Sequence, residues 1–178
     1  MKAIIIGTPG KGKTTLCNMI CQNYPNVAII SLGGLRHPLG VHQPHMGFET
    51  EVAPQNMSFF RNIVDTAMSF YSSYIVEGYG LAPEDALYLG QKHRCPAILL
   101  CHKNISAEED FRLVRKYDSK NKWTARREDD YLKELYKFYK SVEIEWITRM
   151  PDNAIFSTDK NFKSMLDNAY DYIVEQNR

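Results

Sequence analysis

The first fifteen residues constrain this 178-residue chain more than any other stretch. Ala3-Ile4-Ile5-Ile6 is an apolar run of strand character that leads directly into Gly7-Thr8-Pro9-Gly10-Lys11-Gly12-Lys13-Thr14. That octet satisfies G-x-x-x-x-G-K-[ST] at every fixed position, a phosphate-loop pattern that requires a strand before it and a helix after it. Leu16, Met19 and Ile20 supply the helical spacing. The glycines leave no Cβ between the backbone N–H groups and a polyphosphate, and the next helix adds its own unpaired N–H groups and positive dipole end. Gly7, Pro9, Gly10, Lys11, Gly12, Lys13, Thr14 and Thr15 are therefore expected to cradle ATP. Within them Lys13 meets the β- and γ-phosphates and the Thr14 hydroxyl ligates Mg2+.

The length suits one domain with a three-layer core, and a hydrophobic content of 44% is ordinary for a globular protein. A net charge of +1 argues against an extended nucleic-acid surface. Cys17, Cys21, Cys95 and Cys101 have no zinc-type spacing and read as reduced thiols. With no leader ahead of the first strand and no membrane-length apolar run, the expected location is cytoplasmic.

Strand and helix patterns alternate along the chain. Strands are expected at 2–6, 27–31, 73–77, 97–101 and 154–157, and helices at 13–22, 57–71, 83–92, 129–147 and 162–175. The Gly-, Pro- and His-rich residues 33–56 read as a loop or broken helices, and 106–127 as a highly charged segment. Apolar strands alternating with helices imply a five-stranded parallel sheet covered on both faces. Ligands in such sheets sit beyond the carboxyl ends of the strands, so the loops after the first four strands share one neighbourhood.

Three further segments carry a family resemblance. Ile30-Ser31-Leu32-Gly33-Gly34-Leu35-Arg36 follows the second strand, Glu77-Gly78-Tyr79-Gly80 ends the third, and Arg127-Glu128-Asp129-Asp130 opens the long helix. With the phosphate loop, these resemble the nucleoside monophosphate kinases, in the plan of adenylate kinase. The resemblance implies a three-layer α/β phosphate-loop fold, with an acceptor-binding insertion at 33–72 and a short lid at 104–128. It also implies transfer of the γ-phosphate of ATP to a nucleoside or deoxynucleoside monophosphate. Arg36 is then the acceptor-phosphate clamp, with Ser31, Gly34, Glu77 and Tyr79 around it. Two departures stand out: Gly34 replaces an aspartate, and the third-strand segment lacks its arginine.

The chemistry agrees in outline. Phosphoryl transfer demands charge neutralisation and in-line positioning, and arginine forks suit phosphate oxygens. Arg127 and Arg115 are expected to act in catalysis, and Arg112 and Arg126 to contact ATP. Lys133, Lys137 and Lys140 are candidates for the place of the family's helix arginine. The plainer alternative is a solvated charged helix with pairs such as Glu108–Arg112. Glu77, leaving a buried strand, is expected to hold Mg2+ through water or to orient the acceptor. The lack of a carboxylate between Ser31 and Arg36 favours a phosphate acceptor, which needs no base. A kinase for a hydroxyl on a small molecule or a nucleic-acid 5′ end, with Glu77 as base, is the alternative. A nucleotide-dependent ATPase or switch is a third. His37, His42 and His45 read as solvent-facing loop residues and not as a metal site. Phe48, Phe59, Phe60, Phe70 and Tyr71 read mainly as core.

Overall fold

The computed structural model describes residues 1–36, 54–117 and 124–178, except the side chains of residues 36, 54–59 and 126. Five strands, β1 (Lys2–Ile6), β2 (Ala28–Ser31), β3 (Tyr74–Gly78), β4 (Ala97–Cys101) and β5 (Ile155–Ser157), form one sheet in the order β2-β3-β1-β4-β5. All four pairings are parallel. Parallel neighbours need crossovers, and helices supply them: α1 (Lys13–Asn23), α2 (Leu32–Arg36), α3 (Pro54–Ser69), α4 (Pro83–His93), α5 (Ala107–Tyr117), α6 (Asp129–Arg149) and α7 (Phe162–Glu175).

The central strands are apolar because both faces are covered. Ala3 to Ile6 and Ile98 to Cys101 have no solvent exposure, and Leu16, Ile20, Leu89, Leu166 and Ile173 pack over them from the helices. At roughly 1.5–3 kcal/mol for each large apolar side chain removed from water, these strands dominate the favourable side of folding. A second cluster of Phe111, Val114, Leu132, Leu135, Tyr136 and Tyr139 joins α5 to α6. The α5 start is a reciprocal cap: Glu109 N–H donates to Ser106 Oγ at 3.2 Å, and Ser106 N–H to Glu109 Oε2 at 2.7 Å.

The alternation read from the sequence holds with small shifts in the boundaries. Among the described residues, the charged segment 106–127 contains α5 and a 3-10 turn at Thr124–Arg126. The helix expected at 57–71 begins at Pro54 and stops at Ser69, which corrects two core assignments. Phe70 lies beyond the helix and is 78% exposed, Tyr71 is also exposed, and Met68 takes the buried place next to Val64. Phe60 is core as expected. His37, His42, His45 and Phe48 lie outside the described residues, as do most of the proposed acceptor insertion and the middle of the proposed lid. No helix among the described residues is long and apolar enough to cross a membrane, and all four cysteines are free thiols. Burial pushes Cys17 and Cys101 up to about 12, as expected of inert core thiols.

Candidate functional site

The loop Gly7 to Gly12 emerges from the centre of the sheet and delivers the chain into α1. Gly10 and Gly12 have φ of +86° and +91°, a region where a Cβ is strained. The surroundings add a second reason at Gly10. A Cβ there would lie 2.5 Å from Cγ2 of buried Val114, whereas one at Gly12 would meet the half-exposed Phe162 ring at 2.9 Å. Gly10→Ala is therefore expected to cost more stability than Gly12→Ala, about 2–3 against about 1–2 kcal/mol, as read by chemical denaturation. Equal losses would show that packing against α5 is not felt.

Lys13 is the first residue of α1, and its buried ammonium donates to the Thr8 carbonyl at 2.7 Å. An ammonium has three donors, so two remain for phosphate oxygens. Burial pulls its pKa down from 10.5 to about 8, opposed mainly by the charge of Glu77. Glu77 lies near the end of β3, paired in register with Ile5 of β1 and Ser31 of β2. Adjacent strands thus bring Lys13 and Glu77 within electrostatic reach. The Thr14 and Thr15 side chains are exposed in the first turn of α1.

A pH dependence follows. The protonated lysine is the form that attracts polyphosphate, and raising the pH through 8 removes its charge. Between about pH 7 and pH 9 the Kd for ATP is expected to rise about tenfold in the wild type and to stay flat in Lys13→Ala. A flat wild-type profile would contradict this assignment.

The Lys11 side chain is buried within the fold. Its ammonium has no solvent exposure and lies against Asp110 Oδ2, with His102 Nδ1 at 3.2 Å and Glu143 Oε2 at 3.6 Å. His102 Nδ1 is also 2.8 Å from Asp110 Oδ1. Burial works against ionisation of Asp110, but the hydrogen bond from His102 and the charge of Lys11 hold its pKa below the ordinary value. With Asp110 ionised, Nδ1 carries the proton and donates to it, an assignment made from the network. Glu143 accepts from Thr8 Oγ1 at 3.3 Å and pairs through Oε1 with Lys140 at 3.0 Å, and Lys140 also donates to the His102 carbonyl. Sequence reasoning missed Glu143 and the pairing of Asp110 with Lys11. Of the three helix lysines, Lys140 reaches this cluster, while Lys133 and Lys137 pair with Asp130 and Glu134 one turn back.

The charged segment after β4 is tied together by its own groups. Arg112 and Glu108, both exposed, form the i,i+4 pair of the plainer alternative at 2.5 Å. The Arg115 guanidinium contacts Asp129 Oδ1 at 2.9 and 2.5 Å and the carbonyls of Thr124 and Arg127 at 2.9 and 2.6 Å. It spans the end of α5 and the start of α6. Arg127 is exposed, with its guanidinium 5.8 Å from the centre of the Tyr131 ring. The side chains of Arg126 and Arg36 lie outside the described part.

On the acceptor side, Ser31 Oγ accepts from Gly34 N–H at 3.4 Å. Among the described residues a Cβ at Gly34 would meet only Ser31, at 3.6 Å or more. Tyr79 turns toward α6, where its ring lies 5.4 Å from Tyr139 and 5.5 Å from Trp146. Among the described residues no cluster of three or more histidine, cysteine or acidic groups could hold a metal ion by itself. A depression of about 420 Å³ lies at the opposite end of β4, bordered by Gln91, Arg94, Pro96 and Asn153, and no carboxylate or histidine lines it. The carboxyl edge is therefore where ionisable groups converge.

No protein-family model matches the chain, and no curated protein matches it. Solved structures do. The fold is similar to shikimate kinase from Bacteroides thetaiotaomicron, with a TM-score of 0.62 at 18% identity over 98% of this chain and 97% of that one. Shikimate kinase from Acinetobacter baumannii in complex with shikimate gives 0.55 at 14% identity, over 98% and 93%. Shikimate kinase from Aquifex aeolicus vf5 gives 0.53 at 18% identity, over 99% and 98%. These likenesses span nearly the whole of each chain and establish the three-layer phosphate-loop fold expected from the sequence.

Proposed function

We propose that this protein is an ATP-dependent phosphotransferase whose acceptor is a hydroxyl group on a small molecule. The observation that carries this reading is the placement of Lys13, at the start of α1, within electrostatic reach of Glu77, near the end of β3, at the carboxyl edge of the sheet. The loop amides and Lys13 hold the triphosphate, and Lys13 stabilises charge as it shifts toward the leaving oxygen. Glu77, a carboxylate on the acceptor side, takes the hydroxyl proton as the oxygen attacks in line. Thr14 and Glu77 are the groups that would hold Mg2+ arriving with the nucleotide, and that ion would neutralise the β- and γ-oxygens. Arg127, exposed just ahead of α6, is the lid cation we assign to the transferring group. Arg115 is assigned the task of holding the two ends of that segment together. The similarity to kinases along nearly the full chain, one of them holding the small molecule shikimate, supports this reading over the monophosphate acceptor.

The monophosphate reading keeps one observation in its favour. The segment after β2 offers Arg36 at the end of α2 and no carboxylate at position 34, an arrangement suited to an already ionised acceptor. A panel of hydroxy acids, polyols, nucleosides and nucleoside monophosphates, each with ATP and Mg2+, separates the two. ADP release that depends on a hydroxyl compound supports the proposal. Release that depends only on a monophosphate supports the second reading, and release independent of any acceptor refutes both.

A further inference from the structure

Lys11 stands where the loop motif admits any residue, and its buried ammonium gives it a different task from that of Lys13. Both ends of the residue are anchored. Its side chain is enclosed by Asp110 of α5, His102 after β4 and Glu143 of α6. Its carbonyl accepts from the buried Thr158 hydroxyl at 3.0 Å. Because the peptide unit is planar and trans, fixing the Lys11 carbonyl toward Thr158 aims the Gly12 N–H the opposite way. Asp110 and Glu143 are each only 1% exposed, and with Lys11 and Lys140 they make a set of two ammonium and two carboxylate groups. Removing one member leaves a charge buried without its partner, whereas removing an oppositely charged pair does not.

We infer that Lys11 is a positioning residue that acts through the backbone N–H groups of its own loop, and that Asp110 is the carboxylate by which α5 holds it in place. The phosphate loop and the first helix of the charged segment are thereby coupled through one buried ion pair. This rests on the loop binding a nucleoside triphosphate, and it deepens that part of the proposed function alone.

The test is calorimetric titration with ATP and Mg2+, well below each variant's melting temperature, where a role in stability alone would leave the Kd unchanged. Asp110 is buried against Lys11 and His102, and Asp110→Asn is expected to weaken ATP binding about tenfold. Adding Lys11→Met removes the other end of the same contact, so the double variant is expected to bind ATP within about threefold of Asp110→Asn alone. The double variant carries no unpaired buried charge from this pair, so it stays informative if Lys11→Met alone does not fold. An unchanged Kd in Asp110→Asn overturns the inference. So does a double variant about tenfold or more weaker than Asp110→Asn alone, the additive loss that a direct phosphate contact by Lys11 would give. A wild-type chain that binds ATP but phosphorylates nothing refutes only the proposed reaction. A wild-type chain that binds no nucleoside triphosphate overturns both.

Discussion

Lys13→Ala is expected to lower ATP-dependent phosphotransfer by at least about 10²-fold in kcat/KM, the scale seen when one preorganised donor to a charged transition state is lost. Lys13 is the loop's mobile cation, and its ammonium lies at the mouth of the cradle on Thr8. Its burial makes the effect larger than that of a surface lysine, because a charge in a water-poor site is less screened. Little stability should be lost with it. The wild-type protein carries the cost of burying that ammonium, which its lowered pKa of about 8 reports. Denaturation midpoints should therefore show a folded variant with a deficient rate. A fully active Lys13→Ala protein would place the nucleotide site elsewhere.

Glu77→Gln should act mainly on turnover. If the carboxylate takes the acceptor's proton, the isosteric amide is expected to lower kcat about 10²–10⁴-fold with a small change in the KM for ATP. The register pairs of β3 with β1 and β2 fix the position of this residue through the backbone, so the substitution leaves the frame intact. The variant also removes the main charge that supports the Lys13 ammonium, so the pH profile for ATP binding should shift to lower pH. A monophosphate acceptor needs no base, and with one the loss in kcat should be far smaller. Steady-state kinetics across pH, with both acceptor classes, checks these outcomes together.

Much of the frame could be read from the chain itself. Strand–loop–helix at the N-terminus and five apolar strands separated by helical patterns leave few arrangements besides a covered parallel sheet, and the sheet has that form. The strand–loop–helix form of residues 2–23 was legible because its pattern is local. What was not legible depends on residues far apart in sequence. The sequence shows Lys11 only as a residue of the loop, and its buried place emerges once α5 and α6 are packed and Asp110 and Glu143 enclose its ammonium. One signal was available. Glu143 shares the buried stripe of α6 with Leu132, Leu135, Tyr136, Tyr139 and Trp146, and a carboxylate in such a stripe calls for a buried cation. Arg115 is expected from the sequence to act in catalysis, and its contacts with Asp129 and two carbonyls are ones that spacing does not reveal. Phe70 was misplaced because its helical phase was extended two residues past the end of α3.

The central claim is that the γ-phosphate of ATP passes to a small-molecule hydroxyl at the Lys13–Glu77 edge. Phosphorus NMR of ATP with Mg2+ and the hydroxyl panel, run with wild type and Lys13→Ala, tests it most directly. The account predicts a new phosphate-ester resonance and an equal amount of ADP with wild type, and neither with Lys13→Ala. Inorganic phosphate appearing at the same rate with or without every acceptor would contradict it.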